Sequence, residues 1–322
     1  MTQLTRRGAG LAGLATLAAG ALPAAAQNAP APAPALGNPG FHRFKVGGFT
    51  ATTLFDGTAR LNLPGFVGNA PLAEVQAVLA ESFLPTDHYL TPYTVTVVDT
   101  GRMLVMFDAG TGGQLSPQAG RMAANMQAAG IDPARIGLVV FTHFHGDHIT
   151  GLTTRDNQPV FPNAEIVVPA AEWAFWTDRG NEGPAPARQK PNFGNTARRF
   201  APYAGRIRQV AEGQEAAPGI RAVASHGHSP GHTSWLVADG ADQLMVLGDV
   251  THRPELFARR PDLQVMFDFD PTAAVATRRR MLDRVATDRI RVTGYHFPFP
   301  AHGHIAKEGQ GFRFVASDWA AA

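Results

Sequence analysis

The chain has 322 residues, enough for one large hydrophobic core or two modest ones, and its 44% apolar and 17% charged side chains exclude a disordered protein. Its formal net charge of +2 rests on Arg6 and Arg7, the only charged residues before position 27, so the remainder is formally neutral and advertises neither nucleic acid nor an anionic membrane as a partner. It has no cysteine, which excludes disulfides, thiolate nucleophiles, cysteine-ligated clusters and a lipoprotein anchor, so any metal must be held by His, Asp or Glu.

Residues 1–26 read as an export signal. Arg6-Arg7 form a short positive region, Gly8 to Leu22 is apolar and mostly small, and Ala24-Ala25-Ala26 offers a cleavage site near Ala26. The apolar stretch is too short and too rich in Ala and Gly for a transmembrane helix, so no stable membrane anchor is expected. Thr5-Arg6-Arg7 resembles a twin-arginine signal, although Gly8-Ala9-Gly10 lacks the bulky apolar residue expected next. The expected location is periplasmic or secreted. Residues 27–40, with Pro30, Pro32, Pro34 and Pro39, form a Pro/Ala-rich linker, and residues 41–322 form the folded domain.

Phe49, Ala51, Thr53 and Phe55 alternate along a predicted strand, and Asp56-Gly57 marks a hairpin turn. The apolar loop Leu63-Pro64-Gly65-Phe66-Val67-Gly68 is expected to fold onto the core, wall a substrate pocket or meet a second copy in a homodimer. A helix is predicted over 71–82, strands over 94–98 and 103–107, and a sharp glycine-rich turn over 108–113. Leu115, Met122 and Met126 fall on one face of a helix ending at Gly130.

An apolar strand over 136–140 then runs into Thr142-His143-Phe144-His145-Gly146-Asp147-His148. Four of these side chains are ligands that divalent metals take, and they sit where open α/β sheets carry their sites, beyond the carboxyl end of a strand. Further on come a strand over 164–168, a helix from 169 carrying Trp173, Phe175 and Trp176, and a polar surface loop or lid over 178–199. A strand over 220–225 leads into His226-Gly227-His228-Ser229-Pro230-Gly231-His232, and a hairpin over 235–247 ends in Gly248-Asp249. Asp270-Pro271 start a helix, and a last strand over 290–295 delivers His296. Potential ligands thus end predicted strands at several well-separated points.

The motifs His143-x-His145-x-Asp147-His148, Gly227-His228-Ser229-Pro230-Gly231-His232, Leu247-Gly248-Asp249 and Gly294-Tyr295-His296 resemble those of metallo-β-lactamase-fold hydrolases. Residues 224–233, Phe161-Pro162-Asn163-Ala164, His296-Phe297-Pro298-Phe299-Pro300 and Glu308-Gly309-Gln310-Gly311 resemble the methyl parathion hydrolase group and its lactonase and arylesterase relatives. The resemblance implies an α/β (α+β) fold, a four-layer αββα sandwich with a two-metal site at one edge of its sheets. Carried over by position, His143, His145 and His228 hold one ion, Asp147, His148 and His296 the other, and Asp249 bridges them. It also implies that His226, His232 and His304 hydrogen-bond to ligands rather than bind metal. His at 145 separates the chain from flavo-diiron oxygen reductases, which have a carboxylate there. Asp249 separates it from β-lactamases without a bridging carboxylate. His252 lies three residues after Asp249, where lactonases of this fold often place a proton donor lining the pocket.

The expected chemistry is hydrolysis with two divalent ions, zinc first and manganese, iron or cobalt as alternatives. Asp147 or Asp249 would move the proton and His252 would serve the leaving group. Phe66, Trp173, Trp176, Phe267 and Phe269 would line an apolar pocket suited to a small neutral lactone, aryl ester or phosphotriester. The alternatives are a β-lactamase or another hydrolase of the fold, and a binding protein that keeps metal without catalysis. His88 and His302 read as structural or solvated, and His42 as part of a flexible entry.

Overall fold

A computed structural model of the protein describes residues 38–319, so the expected export signal and nearly all of the linker lie outside the described residues. Two seven-stranded sheets form its centre. The first runs in order through β1 (Phe41–Val46), β2 (Phe49–Asn62), β3 (His88–Asp99), β4 (Leu104–Phe107), β5 (Ile136–Val140), β6 (Glu165–Pro169) and β7 (Ile207–Val210). The second contains β8 (Glu215–Ala217), β9 (Ile220–Ala224), β10 (Thr233–Asp239), β11 (Asp242–Val246), β12 (Arg291–Thr293), β13 (His302–Glu308) and β14 (Gly311–Ala316), again in chain order across the sheet. β1 to β4 pair antiparallel and β4 to β7 parallel; in the second sheet only β11 and β12 are parallel.

The helices are α1 (Leu72–Glu81), α2 (Met122–Ala128), α3 (Gly146–Ile149), α4 (Ala170–Thr177), α5 (Pro191–Phe200), α6 (Pro254–Phe257) and α7 (Pro271–Thr287). The strands β4 and β5 read as unbroken apolar runs, and β6 and β11 carry three successive apolar residues after polar starts, because both faces are covered there. Val105, Phe107, Leu138, Val140 and Val167 pack against Trp235, Val237, Leu244 and Val246 between the sheets. Their alternate neighbours Met106, Val139, Ile166 and Val168 pack outward with Met122 and Met126 of α2, Trp176 of α4, and Phe193 and Phe200 of α5. Met281, Leu282 and Val285 of α7 cover the outer face of the second sheet. The layers are therefore helix, sheet, sheet, helix, the sandwich that the motifs implied.

Several expectations change. Leu63, Phe66 and Val67 of the apolar loop are buried with Val75, Leu79, Tyr89 and Val265, so the loop folds onto the core. Leu115 is half exposed in the connection before α2 and shares no helix with Met122. The stretch over 178–199 is no simple loop, since most of α5 lies in it and buries Phe193 beside Thr196. His42 is a buried member of β1, and the hairpin β13–β14 extends the second sheet past the last strand expected. Among the described residues no helix is long and apolar enough to cross a membrane.

Candidate metal centre and substrate cavity

The loops leaving β5, β9, β11 and β12 open at one end of the sandwich and bring their ligands together. Asp108, just after β4, organises the first of them. Its carboxylate accepts from Thr142 N–H at 2.8 Å and Thr142 Oγ1 at 2.9 Å, and it lies 2.9 Å from His148 Nδ1. Both ends of the His-rich stretch are thereby fixed to one buried carboxylate. The turn of α3 sets Asp147 and His148 side by side beyond the loop.

Three of the remaining rings are held by the outer nitrogen, which leaves the other directed inward. His143 Nδ1 is 3.0 Å from Thr142 Oγ1, His228 Nδ1 is 2.9 Å from Asp268 Oδ1, and His296 Nδ1 is 2.9 Å from the Pro92 carbonyl. His145 turns the other way, with Nδ1 2.9 Å from His228 Nε2. The Asp249 carboxylate lies in the middle, 2.9 Å from His296 Nε2, 3.3 Å from both His148 Nε2 and His228 Nε2, and 3.9 Å from His143 Nε2. Asp147 Oδ2 is 3.5 Å from His296 Nε2 and 3.6 Å from His148 Nε2.

His143, His145 and His228 therefore form one group and Asp147, His148 and His296 another, with Asp249 between them. The inward Nε2 atoms of His143 and His148 and Asp249 Oδ1 are buried without a hydrogen-bond partner. Unpaired buried polar atoms are costly in an apolar interior, and ligands around a cation are the arrangement in which they are satisfied. The donor set fits two divalent ions.

The electrostatics differ from ring to ring. Burial, reinforced by neighbouring histidines, pushes the pKa values of His143 and His145 well below the usual histidine value, which leaves the lone pairs available to a metal. Burial would also lower His148, but Asp249, Asp147 and Asp108 outweigh it and hold it well above. His228 is pushed up to about 9, burial being overcome by Asp249 and Asp268. Asp249 itself stays ionised: burial opposes the charge, and His296, His148 and His228 more than compensate.

Two further buried groups brace the ligand loops. His232 Nε2 accepts from the Asp249 N–H at 3.0 Å while its Nδ1 meets Ser225 Oγ at 2.8 Å. Glu172 of α4 accepts from Phe144 N–H at 2.9 Å, Gly231 N–H at 2.7 Å, Trp176 Nε1 at 2.7 Å and the Ser229 hydroxyl. One carboxylate thus ties the loop after β5 to the loop after β9. At Gly231 any side chain would meet the Glu172 backbone, since a Cβ there lies 2.0 Å from Glu172 N.

A cavity of about 240 Å³ opens onto His145, Asp147, His228, Asp249, His252 and His296, with Leu61, Tyr93, Leu115 and Phe267 as apolar walls and Arg188, Gln189 and Asn192 as a polar rim. His252 lies 2% exposed beneath it, stacked on His296 at 4.6 Å, with both ring nitrogens unpaired and Nε2 3.8 Å from Asp249. A cavity of about 460 Å³ lies among hairpin turns at the other end of the sheets and, among the described residues, has no cluster of metal ligands.

Of the five aromatic residues expected in the pocket, Phe267 alone lines this cavity. Phe66 is wholly buried behind it, stacked on Tyr89 at 3.9 Å and edge-on to His252 at 6.4 Å. Trp176 is buried on Glu172, Phe269 packs on Phe175, and Trp173 flanks a separate cavity beside Phe200. His226 and His304 are exposed and bond to no ligand, which corrects the expectation for both; His232 alone of the three supports one. Asp108, Asp268, Thr142, Glu172 and the Pro92 carbonyl were not anticipated. An acidic residue embedded among apolar ones is the signal that Asp108 and Asp268 carried.

An αββα sandwich with two His/Asp groups sharing one aspartate at its edge defines the class of this protein. The chain belongs to the metallo-beta-lactamase superfamily, whose sequence model matches residues 89–290. It is similar to the crystal structure of the hydrolase AbOPH of the beta lactamase superfamily, at 25% identity over 88% of this chain and 100% of that one, with a TM-score of 0.83. AidC, described as a dizinc quorum-quenching lactonase in complex with the product N-hexanoyl-L-homoserine, is 24% identical over 88% and 99% of the two chains, with a TM-score of 0.82. A probable metal-dependent hydrolase from Staphylococcus aureus is 20% identical over 86% and 100%, with a TM-score of 0.72. Among curated proteins no sequence match was found.

Proposed function

We propose that the protein is an exported two-metal hydrolase that opens lactones or cleaves aryl esters, with phosphotriesters as a further substrate class. The observation that carries this reading is Asp249, set between two ligand groups on the floor of a small, largely apolar cavity. Its similarity to AbOPH and AidC supports the same reading, and AidC's description as a dizinc enzyme favours zinc. Divalent cations in such a site supply Lewis acidity, polarising a carbonyl or phosphoryl oxygen and lowering the pKa of water toward about 7.

The chain's own residues divide the remaining work. Asp147, the more exposed carboxylate, takes up the proton of the attacking water. Asp249 holds its place between the ligand groups and stays ionised. His252, kept neutral by burial, hydrogen-bonds the departing alkoxide through its ring N–H, and the proton taken up by Asp147 neutralises that oxygen. Leu61, Leu115 and Phe267 receive the apolar part of the substrate and exclude bulk water. The cavity lies below the usual range of roughly 300–1,000 Å³, so short acyl chains or small aryl groups fit best.

The test is metal analysis together with a panel of aryl esters, γ- and δ-lactones, homoserine lactones, paraoxon-type triesters and cephalosporins. Turnover of lactones or esters by protein carrying two ions is the expected result. Preference for cephalosporins would make it a β-lactamase, and full metal occupancy without turnover would make it a binding protein. Export is tested separately by N-terminal sequencing of protein from the host, with the mature chain starting near Gln27.

A further inference from the structure

The chain has four tyrosines, and three have hydroxyls committed to the protein. Tyr89 accepts from the Arg253 N–H, Tyr203 donates to the Leu152 carbonyl, and Tyr295 donates to the Asp147 carbonyl. Tyr93 is 7% exposed, lines the cavity, and its hydroxyl makes no hydrogen bond among the described residues. A buried tyrosine usually finds a partner for its O–H, so this phenol is left for something that enters.

Its backbone is held on both sides by the ligand-bearing loop after β12. The carbonyl of Pro92 accepts from His296 Nδ1, and the N–H of Thr94 donates to the Tyr295 carbonyl, both at 2.9 Å. Opposite Tyr93, β2 carries a bulge: Phe55 pairs with Thr94 and Gly57 with Tyr93, leaving Asp56 as the extra residue. Bulges beside sites re-aim a side chain. This one is fixed, because Asp56 accepts from Thr111 N–H at 2.8 Å, Thr111 Oγ1 at 2.6 Å and Met122 N–H at 3.0 Å. The ring of Tyr93 stands edge-on to His296 at 5.6 Å, while His252 stacks flat on the same histidine at 4.6 Å. The two uncommitted side chains therefore flank one ligand from different directions.

Resting on the hydrolase reading, we propose that Tyr93 is a catalytic hydrogen-bond donor to the substrate's carbonyl oxygen, while His252 serves the leaving alkoxide. The phenol keeps its proton throughout and is aimed in advance, so its bond strengthens as that oxygen gains charge. Tyr93→Phe keeps the ring and removes the donor. It should lower kcat by about 10- to 100-fold for an activated aryl ester and an unactivated lactone alike, with KM changed less than about threefold. Calorimetric binding of a methylphosphonate monoester, which presents a tetrahedral anion, should weaken by a similar factor, with metal content and Tm unchanged.

Unchanged kcat and unchanged phosphonate binding would overturn the proposal. So would a loss of activity matched by a loss of metal or of Tm, which would make Tyr93 a packing residue. If the wild-type, metal-loaded protein turns over no ester or lactone, the hydrolase reading fails instead, and the phosphonate comparison still decides what Tyr93 does.

Discussion

The two halves of the site are built by opposite means. In the first, His143, His145, Asp147 and His148 come from one continuous stretch that runs from the loop after β5 into α3, and Asp108 clamps both of its ends within the same sheet. In the second, His228, Asp249 and His296 stand alone on separate loops, and each depends on a group remote in sequence: Asp268, His232 and the Pro92 carbonyl. The first half is clamped from within its own sheet. The second has one clamp that crosses the sandwich, from the Pro92 carbonyl of β3 to His296. Arg278 shows the cost of that arrangement. It is fully buried on α7, donates to the carbonyls of Val250 at 3.0 Å and Pro261 at 3.2 Å and to that of Leu263, and lies 3.6 Å from the Asp268 carboxylate. One guanidinium therefore joins the loop of Asp249 to the loop that orients His228.

Asp249 is the group the two halves share, so its loss should have the largest effect. Asp249→Ala is expected to lower both metal occupancy and ester or lactone hydrolysis by more than about 100-fold, beyond the 10- to 100-fold usual for groups that only orient ligands. Metal analysis after gel filtration and initial rates check this, and a variant that still holds two ions would remove Asp249 from its place between them. Next come the outer carboxylates. Asp108→Asn and Asp268→Asn should each weaken metal affinity about 10- to 100-fold. Arg278→Met separates the halves more sharply. It breaks a buried ion pair, so urea unfolding should show a loss of about 3–5 kcal/mol, and metal affinity should fall with it because His228 loses its orientation. If stability drops while affinity holds, the second half is less dependent on distant contacts than its geometry implies.

The same contrast explains what could be read from the sequence. The first half was legible because its ligands share one short stretch after an apolar strand. The second was assembled from motifs that resemble a known family, since no local pattern ties position 228 to 249 or 296. The groups that hold the rings were harder still. Asp108 reads as a turn residue, Asp268 is hidden between Phe267 and Phe269, and the Pro92 contact is a backbone carbonyl with no side-chain signature. The pocket went astray for a related reason: Trp173 and Trp176 lie on neighbouring positions of α4, yet one is fully buried on Glu172 and the other borders a different cavity. α5 escaped notice because Gly194 and its polar residues disfavour a helix locally. Tertiary contacts override that preference, with Phe193 buried and Arg199 donating to Thr153, Asn195 and Gln114.

The smallest expected effect concerns a contact between the sheets that touches no ligand. His302 of β13 stacks on Phe44 of β1, ring centroids 3.5 Å apart and planes within 7°. Burial pushes its pKa down to about 3, helped by Arg291 and His42. In the unfolded chain the same imidazole titrates near 6.5. Between those values the unfolded state binds a proton that the native state refuses, so stability rises with pH across that range. The contribution is complete above about pH 6.5 and is lost progressively as the pH falls toward about 3. His302→Phe keeps an aromatic ring on Phe44 and removes the titration. Its Tm should match the wild type near pH 7.5 and exceed it by a few degrees near about pH 5, with metal removed by chelation so that the ligand histidines contribute equally to both proteins. Equal slopes of Tm against pH would mean that His302 does not contribute to the acid sensitivity. A shallower slope in the variant would show that acid loosens the sandwich between its sheets, the packing across which the Pro92 carbonyl reaches His296.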